Sequence, residues 1–233
     1  MAGDVVSSSY IAMTAKLMTL FGANVRFDVS TVEVEEGRYR ATNIAVEPDA
    51  SSASYPAALA AIAGGSVRLR RAATIEMQSD RVIFDILRRV GADVRVEGGD
   101  MVVTREPALG LQAVDVNLRD SSDLVPTVAV LAACAVGRSR IRGVGFVRNK
   151  ESDRIGDLAR ELRKFGVTVV EDGDGLDVVG SPIRSATVEP HHDHRLAMAL
   201  SLLGRVAAGT KVSDPGVVSK SWPGFFAQMG LVT

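Results

Sequence analysis

Two kinds of hydrophobic segment alternate along the chain, and each kind recurs at nearly constant spacing. The first kind is amphipathic, with apolar residues three or four positions apart among charged ones. Each such segment ends at a glycine and is followed by a β-branched stretch; the closing residues are Gly22, Gly91, Gly166 and Gly230. This spacing predicts helices with one buried face, and glycine is frequent just after a helix end.

The second kind of segment is almost wholly apolar and rich in alanine. It recurs at equal intervals as Ser52–Gly65, Asp123–Gly137 and Asp193–Gly209. A fixed period indicates that one supersecondary unit has been copied. Each copy is predicted to be a βαβαββ unit in an α/β fold with a mixed sheet. We expect the alanine-rich helices to pack together about a pseudo-threefold axis, with the charged helices outside.

The opening part of the chain does not complete a unit. It predicts one helix over about 9–21, a strand pair, and a strand within residues 41–49. We therefore predict two parts: residues 1–45 as the tail of one domain, and residues 46–233 as most of a second domain built from the repeated units.

Composition excludes several classes of protein. The 233 residues are 46% hydrophobic and 24% charged, with a net charge of −1, which argues against bulk electrostatic binding of nucleic acid. No apolar run is long enough to cross a membrane, and the start lacks the pattern of a secretory signal. The single cysteine, Cys134, lies in an apolar run and favours a reducing, cytoplasmic location. His191, His192 and His194 cluster without cysteines, so we predict neither a metal site nor a cofactor.

The segment Arg148–Gly166 combines an ionic cluster with an amphipathic helix. Lys150, Glu151 and Arg154 lie around the predicted helix start, with Ser152 or Asp153 as the cap. Free N–H groups and the helix dipole favour anions there. Two interpretations stay open at this point: a solvated helix start with local ion pairs, or a site for a phosphate or carboxylate ligand with a proton-transfer group.

The repeat supplies an internal control, because scaffold roles recur whereas chemistry tends to occur once. The first copy has Gln-Ser-Asp-Arg at 78–81, and the second has Glu-Ser-Asp-Arg at 151–154, so Glu151 adds an ionisable group. Asp123 opens one alanine-rich helix and is either a cap or a base. Arg195 opens another, and Lys220 precedes the last amphipathic helix.

These positions predict one site at the strand-to-helix junctions. Its cations would hold a doubly anionic small substrate, and its carboxylates would transfer protons without a metal. The predicted anion holders are Lys150, Arg154, Arg195 and Lys220, and the acid–base candidates are Asp123 and Glu151.

Four motifs resemble one known family. They are DASSASY (49–55), NKESDRI (149–155), DHRLAMALSLL (193–203) and DPGVVSKSWPGFF (214–226). In order and spacing they are similar to the 5-enolpyruvylshikimate-3-phosphate (EPSP) synthases, and the resemblance covers almost the whole chain. It implies the three-fold pseudo-symmetric enolpyruvyl transferase fold, of which this chain would be about one of two domains, the C-terminal half.

The resemblance also implies an activity and roles for individual residues. Family members are transferases that move the carboxyvinyl group of phosphoenolpyruvate to the 5-hydroxyl of shikimate 3-phosphate, in the shikimate pathway of aromatic amino-acid and chorismate biosynthesis. It makes Asp123, Glu151 and Lys220 catalytic. The implied substrate-binding residues are Ser7, Tyr10, Lys150, Arg154 and Arg195.

Two departures from the family pattern matter. The family protein is about twice as long, so the implied N-terminal domain, with further cationic and serine side chains of the site, would be a missing partner. Phe146 replaces an asparagine that touches substrate in some members. We expect a fragment that is weak or inactive alone. The alternatives are a non-catalytic binding or assembly module on the same fold, and a different enolpyruvyl transferase.

Overall fold

The computed structural model describes residues 5–28 and 31–231 of the chain. Its first part holds one helix and a two-stranded antiparallel sheet: α1 (Ser8–Leu20), β1 (Val25–Phe27) and β2 (Val32–Val34). The strand predicted within residues 41–49 is wrong, because this stretch is irregular up to the start of the next helix. The predicted boundary near residue 45 stays a prediction. The last two residues of the chain lie outside the described ranges.

The first repeated unit joins two helices to a three-stranded antiparallel sheet with the order β3-β5-β4. Its elements are α2 (Ala50–Ala63), β3 (Gly65–Leu69), α3 (Ile83–Arg89), β4 (Asp93–Glu97) and β5 (Asp100–Arg105).

The second unit is the most complete of the three. Its sheet has the order β10-β11-β9-β7, in which β7 and β9 are parallel and the other pairs antiparallel. Short strands β6 and β8 pair separately in parallel. Its elements are β6 (Leu111–Gln112), β7 (Asp115–Asn117), α4 (Val125–Ala133), β8 (Ala135–Val136), β9 (Arg138–Arg142), α5 (Gly156–Lys164), β10 (Thr168–Glu171) and β11 (Leu176–Val179).

The third unit is shorter within the described residues. A parallel pair of two-residue strands accompanies two helices, and a 3-10 helix, Leu202–Arg205, continues the first of them. Its elements are β12 (Thr187–Val188), α6 (His194–Ser201), β13 (Lys211–Val212) and α7 (Phe225–Met229).

The three alanine-rich helices form the centre of the core. Helix α4 packs against both α2 and α6, and α2 contacts the 3-10 helix that extends α6, so the predicted mutual contact is confirmed. Every residue of α4 is buried, which its uniformly apolar sequence explains. The amphipathic helices lie outside. They end at glycines with positive φ, such as Gly91 at +98° and Gly166 at +86°, where a side chain would be strained.

A substitution at the centre of α4 tests this packing. Leu131 is fully buried, so Leu131→Ala should lower the free energy of unfolding by about 3 to 4 kcal/mol through lost burial and the cavity it leaves. Leu109, which is 62% exposed, supplies the control, since Leu109→Ala should change it by less than about 0.5 kcal/mol. Urea denaturation measures both, and equal effects would contradict the central position of α4.

Candidate active site

A buried arginine gathers carboxylates from three segments at one end of the alanine-rich helices. Arg154 lies just before α5 and has only 1% of its surface exposed. Its Nη1 donates to Asp123 Oδ1 at 2.7 Å, its Nη2 to Glu151 Oε2 at 2.7 Å, and its Nε to Asp193 Oδ2 at 2.6 Å. These charge-assisted bonds satisfy the guanidinium in a place where an unpaired charge would be costly.

Asp123 is the most connected carboxylate of this cluster. Besides Arg154, it accepts a hydrogen bond from Arg195 Nη2 at 2.9 Å and one from the Tyr10 hydroxyl at 3.2 Å. Lys150 Nζ lies 3.8 Å from its Oδ1. The carboxylate is therefore engaged by side chains on several segments, and it does not cap α4.

The surroundings of Asp123 keep it ionised. Burial works to raise the pKa of Asp123, but the nearby cations, first Arg195 and then Arg154, outweigh burial and lower it. The pKa of Tyr10 is raised, first by burial and then by the charges of Asp80 and Asp123. Near neutral pH the site thus offers a carboxylate that can accept a proton, next to a phenol that keeps its own.

Glu151 and Lys220 form an ion pair at the more exposed rim. Lys220 Nζ lies 2.5 Å from Glu151 Oε1, while the other oxygen of Glu151 is bound to Arg154. Burial would raise the pKa of Glu151, but the bond from Lys220 and the charge of Arg154 lower it to about 2. More than half of the Lys220 side chain is exposed, so its ammonium group can reach a ligand from this rim.

Asp193 connects the second helix start to the cluster. It is fully buried and caps α6 by accepting the Arg195 N–H at 2.8 Å. Its second oxygen accepts Arg154 Nε, so one carboxylate fixes both arginines. His194 beside it is buried, and burial, followed by the charge of Arg195, lowers its pKa. Its Nδ1 has no hydrogen-bond partner among the described residues.

The structure brings seven of the eight predicted site residues into one connected network. The exception is Ser7, which precedes α1 in a left-handed conformation (φ 53°) and whose buried hydroxyl has no partner in the described part of the chain. The connected residues are Tyr10, Asp123, Lys150, Glu151, Arg154, Arg195 and Lys220. Their individual roles stay predictions.

A cavity of about 430 Å³ opens beside this network, and one of the residues that line it is predicted from the repeat to have a structural role. Asp80 lies on its wall, is 2% exposed, and accepts a bond from the Ser51 hydroxyl. Its Oδ1 has no partner among the described residues. Burial, together with the charge of Asp123, raises the pKa of Asp80 to about 6.

Asp80 differs from its counterpart in the second copy, although the Ser-Asp-Arg sequence is the same. Asp153 caps the start of α5, accepting the N–H groups of Ile155 at 3.1 Å and Gly156 at 2.9 Å, and it pairs with Arg148. Asp80 makes no such cap in the described structure. Sequence alone carried no signal of this difference, because it arises from which neighbours face each copy.

The cluster shows no arrangement suited to a metal. Among residues 5–28 and 31–231, no group of three or more histidine, cysteine or acidic side chains is placed to hold an ion. His191, one of the three clustered histidines, contacts Glu161 instead. No helix in the same ranges is long and apolar enough to cross a membrane.

Comparison with known proteins shows extensive similarity. The family model described as EPSP synthase (3-phosphoshikimate 1-carboxyvinyltransferase) matches residues 1–229. The 3-phosphoshikimate 1-carboxyvinyltransferase of Methanothermobacter thermautotrophicus is 44% identical over 97% of this chain, and that of a Nostoc species is 39% identical over 97%. In both cases the match covers 53% of the relative, so the chain spans about half the length of these relatives.

Solved structures extend the similarity to the fold. An EPSP synthase from Acinetobacter baumannii has a TM-score of 0.77 and 27% identity, with 93% of this chain and 53% of that chain covered. The enolpyruvyl transferase NikO from Streptomyces tendae has a TM-score of 0.71 and 20% identity over 98% of this chain and 54% of its own, and shows the fold alone. The predicted enolpyruvyl transferase fold is confirmed.

The first prediction from the site concerns its buried arginine. Arg154→Met should lower the free energy of unfolding by about 3 to 5 kcal/mol, because Asp123, Glu151 and Asp193 would face one another without their shared cation. Arg160→Met is the control: Arg160 pairs with Asp157 at 2.6 Å but is exposed, so the loss should stay below about 1 kcal/mol. Chemical denaturation at neutral pH measures both. Comparable losses would contradict the bridging role of Arg154.

The second prediction concerns Asp80 and pH. Its folded-state pKa of about 6 exceeds the ordinary value of 3.8, so the folded state binds the proton more tightly. This contribution is present below about pH 4 and is lost as pH rises through 6. Asp80→Asn should therefore be near neutral at pH 4 and stabilise the fold at pH 8 by up to about 3 kcal/mol.

The matched control is Asp153→Asn, from the second copy of the same sequence. Burial opposes ionisation of Asp153, but the Gly156 N–H and Arg148 outweigh it and lower its pKa, so Asp153 stabilises the fold above its ordinary pKa. Asp153→Asn should thus destabilise the fold at pH 8. Denaturation curves at several pH values separate the two signs, and a loss of stability at pH 8 in both variants would refute the assignment for Asp80.

Proposed function

The chain belongs to the EPSP synthase family, and from that premise we propose that it forms one wall of an active site for carboxyvinyl transfer. The substrates would be phosphoenolpyruvate and shikimate 3-phosphate, and the products the enol ether and phosphate. The reaction would belong to aromatic amino-acid biosynthesis in the cytoplasm, where a chain with one free cysteine faces a reducing environment. No cofactor enters this proposal.

The observation that carries the proposal is the ionised Asp123, which lies among cations where α4 and α6 begin. A base must be near the proton that it removes and must be deprotonated at the working pH. Asp123 meets the second condition through Arg195 and Arg154. We assign it the proton of the 5-hydroxyl, whose oxygen then attacks C2 of phosphoenolpyruvate to give a tetrahedral intermediate.

The Glu151–Lys220 pair suits the proton transfers at the other carbon. Addition at C2 requires a proton on the neighbouring methylene carbon, and loss of phosphate requires that a proton leave it again. We assign this exchange to the pair: the Lys220 ammonium supplies the proton that reaches the methylene carbon through Glu151, which is itself ionised, and Glu151 takes the proton back as phosphate leaves and is held by Lys220. The 2.5 Å contact between the two side chains lets a proton pass between them.

Anion binding is assigned to the cations that remain accessible. Lys150 and Arg195 face Asp123 and would hold substrate carboxylate or phosphate groups, while Tyr10 and Ser7 would contact shikimate 3-phosphate. Arg154 was also predicted to hold phosphoenolpyruvate. Its three guanidinium nitrogens already donate to carboxylates, so a direct contact would require the substrate to displace one of them.

Charge counting supports a second wall. With Asp193, which pairs with Arg154, the connected network contains four cationic side chains and three carboxylates, so little positive charge is left over. Each substrate carries both a carboxylate and a phosphate. Burying two such anions demands further cations, because an unpaired charge in a closed site is costly. We propose that a complementary N-terminal domain supplies them, and that residues 1–45 belong to that side of the boundary.

The test is phosphate release from the two substrates by this chain alone and after mixing with the N-terminal half of the Methanothermobacter relative. We expect activity only in the mixture, because both walls are needed to stabilise the transition state. Normal turnover by the chain alone would contradict the two-wall proposal. Absence of activity in the mixture, with no calorimetric binding of either substrate, would favour the non-catalytic module.

Within the active mixture, Asp123→Asn should lower kcat by about 100- to 10,000-fold, since the base is lost while the shape is kept. Asp115→Asn is the control, because Asp115 is an exposed carboxylate paired with Arg140 away from the network. Steady-state kinetics measure both variants. A similar effect of the two substitutions, or none for Asp123→Asn, would remove Asp123 from the mechanism.

A further inference from the structure

Helix α5 contains a fully buried carboxylate, Glu161, at a position where the first copy of the repeat has a hydrophobic residue. Counting back from the closing glycines, Glu161 corresponds to Ile86 of α3. Ile86 is 1% exposed and packs in the core, whereas Glu161 is 0% exposed in an equally covered place. Glutamate is almost never fully buried unless it is paired, so this replacement has a cost that some interaction must offset.

The partners of Glu161 lie mainly on the turn before α6. Its Oε2 accepts the backbone N–H of Glu189 at 2.9 Å, and its Oε1 lies 3.0 Å from His191 Nε2. Lys164, one turn further along α5, donates to Oε2 at 2.6 Å. Glu161 therefore ties the middle of α5 to the chain that leads into α6.

That turn has a conformation that side chains rarely adopt. His191 and His192 both have positive φ, 51° and 61°. The Asp193 N–H closes the turn on the Pro190 carbonyl at 2.8 Å. Consecutive non-glycine residues in the left-handed region persist only where their surroundings hold them there. The hydrogen bond that Glu161 accepts from the Glu189 N–H, and its bond with the His191 ring, supply such a restraint.

The turn ends on the residue that fixes both arginines of the site. Asp193 follows His192 directly, caps α6 through the Arg195 N–H, and accepts Arg154 Nε. Arg195 in turn donates to Asp123. The stretch is thus held from α5 and the residues before it, through Arg154, through Glu161 and, at 3.9 Å from His191 Nδ1, through Asp157 Oδ1.

From these contacts we propose that Glu161 is a positioning residue, which holds the His191-His192 turn so that Asp193 binds Arg154 and Arg195 faces Asp123. It touches none of the proposed reacting groups. The expected effect of Glu161 on ligand binding rests on the proposed function, which assigns anion binding to Arg195. Its effect on the turn does not.

The central variant is Glu161→Ile, which restores the residue of the first copy. Glu161→Ile removes the buried charge itself, and its cationic partner Lys164, whose side chain is 39% exposed, can turn to water, so no buried charge is left unpaired and global stability should be kept. The turn should nevertheless loosen. We expect amide hydrogen exchange at Asp193 and Arg195, followed by NMR, to become about tenfold faster or more, with core amides of α4 unchanged.

Two further variants separate positioning from general disturbance. Lys164→Ala removes the other partner of Glu161 without touching the turn, and it should leave both amides within about twofold of the parent chain. His192→Asn, added to Glu161→Ile, should restore part of the protection, because asparagine tolerates the left-handed region. Unchanged exchange in Glu161→Ile, or equal acceleration in Lys164→Ala, would overturn the proposal. No recovery with His192→Asn would overturn the strained turn as the link.

Calorimetric titration of phosphoenolpyruvate completes the test, using the chain mixed with the complementary half. Glu161→Ile should weaken binding about tenfold or more, and Lys164→Ala should not. If the parent mixture binds nothing, the proposed function fails while the exchange experiment still decides the role of Glu161. Faster exchange at both amides with unchanged affinity would confine Glu161 to the fold and overturn its role in the site.

Discussion

The ion cluster around Arg154 is the constraint on which the rest of the site depends. A buried guanidinium can be held only where several acceptors converge. Here the acceptors come from three different segments of the repeat: Asp123 before α4, Glu151 before α5, and Asp193 before α6. Each acceptor also serves another group, so the cluster sets the protonation state of Asp123, the orientation of Arg195 and the pairing of Lys220 together. A change at any one member is transmitted to the others.

The alanine-rich helices make this convergence possible. Helices α2 and α4 carry no charged side chain, and every residue of α6 except Arg195 is buried, so α4 packs against both α2 and α6 and the starts of α4 and α6 come close together. A charged face on any of these helices would have pushed them apart. The amphipathic helices, which have one buried face, then cover the outside. The repeat thereby supplies several helix starts at one end of the core, and function needs only different side chains at each.

Much of the fold could be predicted from the sequence because it depends on periodicity. Helix type, the Gly91 and Gly166 ends and the β10–β11 hairpin all follow from local patterns. The irregular conformation of residues 41–49 could not be predicted, because a segment with β-branched residues becomes a strand only where a partner strand lies beside it. Within the site, residue types at helix starts pointed to Asp123 and Arg195. The burial of Arg154 and that of Asp80 depend on contacts between segments, which the sequence does not display.

Comparison of the copies gives a more general way to separate scaffold from function. Asp80 and Asp153 occupy equivalent positions in the two copies, yet Asp153 caps a helix whereas Asp80 lies buried beside Asp123. At Ile86 and Glu161 the burial is shared while the chemistry differs. In both cases one copy buries a carboxylate where the other copy has a partly exposed carboxylate, Asp153, or a hydrophobic residue, Ile86, so the repeat itself does not require a buried carboxylate there. Both buried carboxylates bear on Arg195: Asp80 lines the same cavity, and Glu161 bonds to the turn that leads into α6.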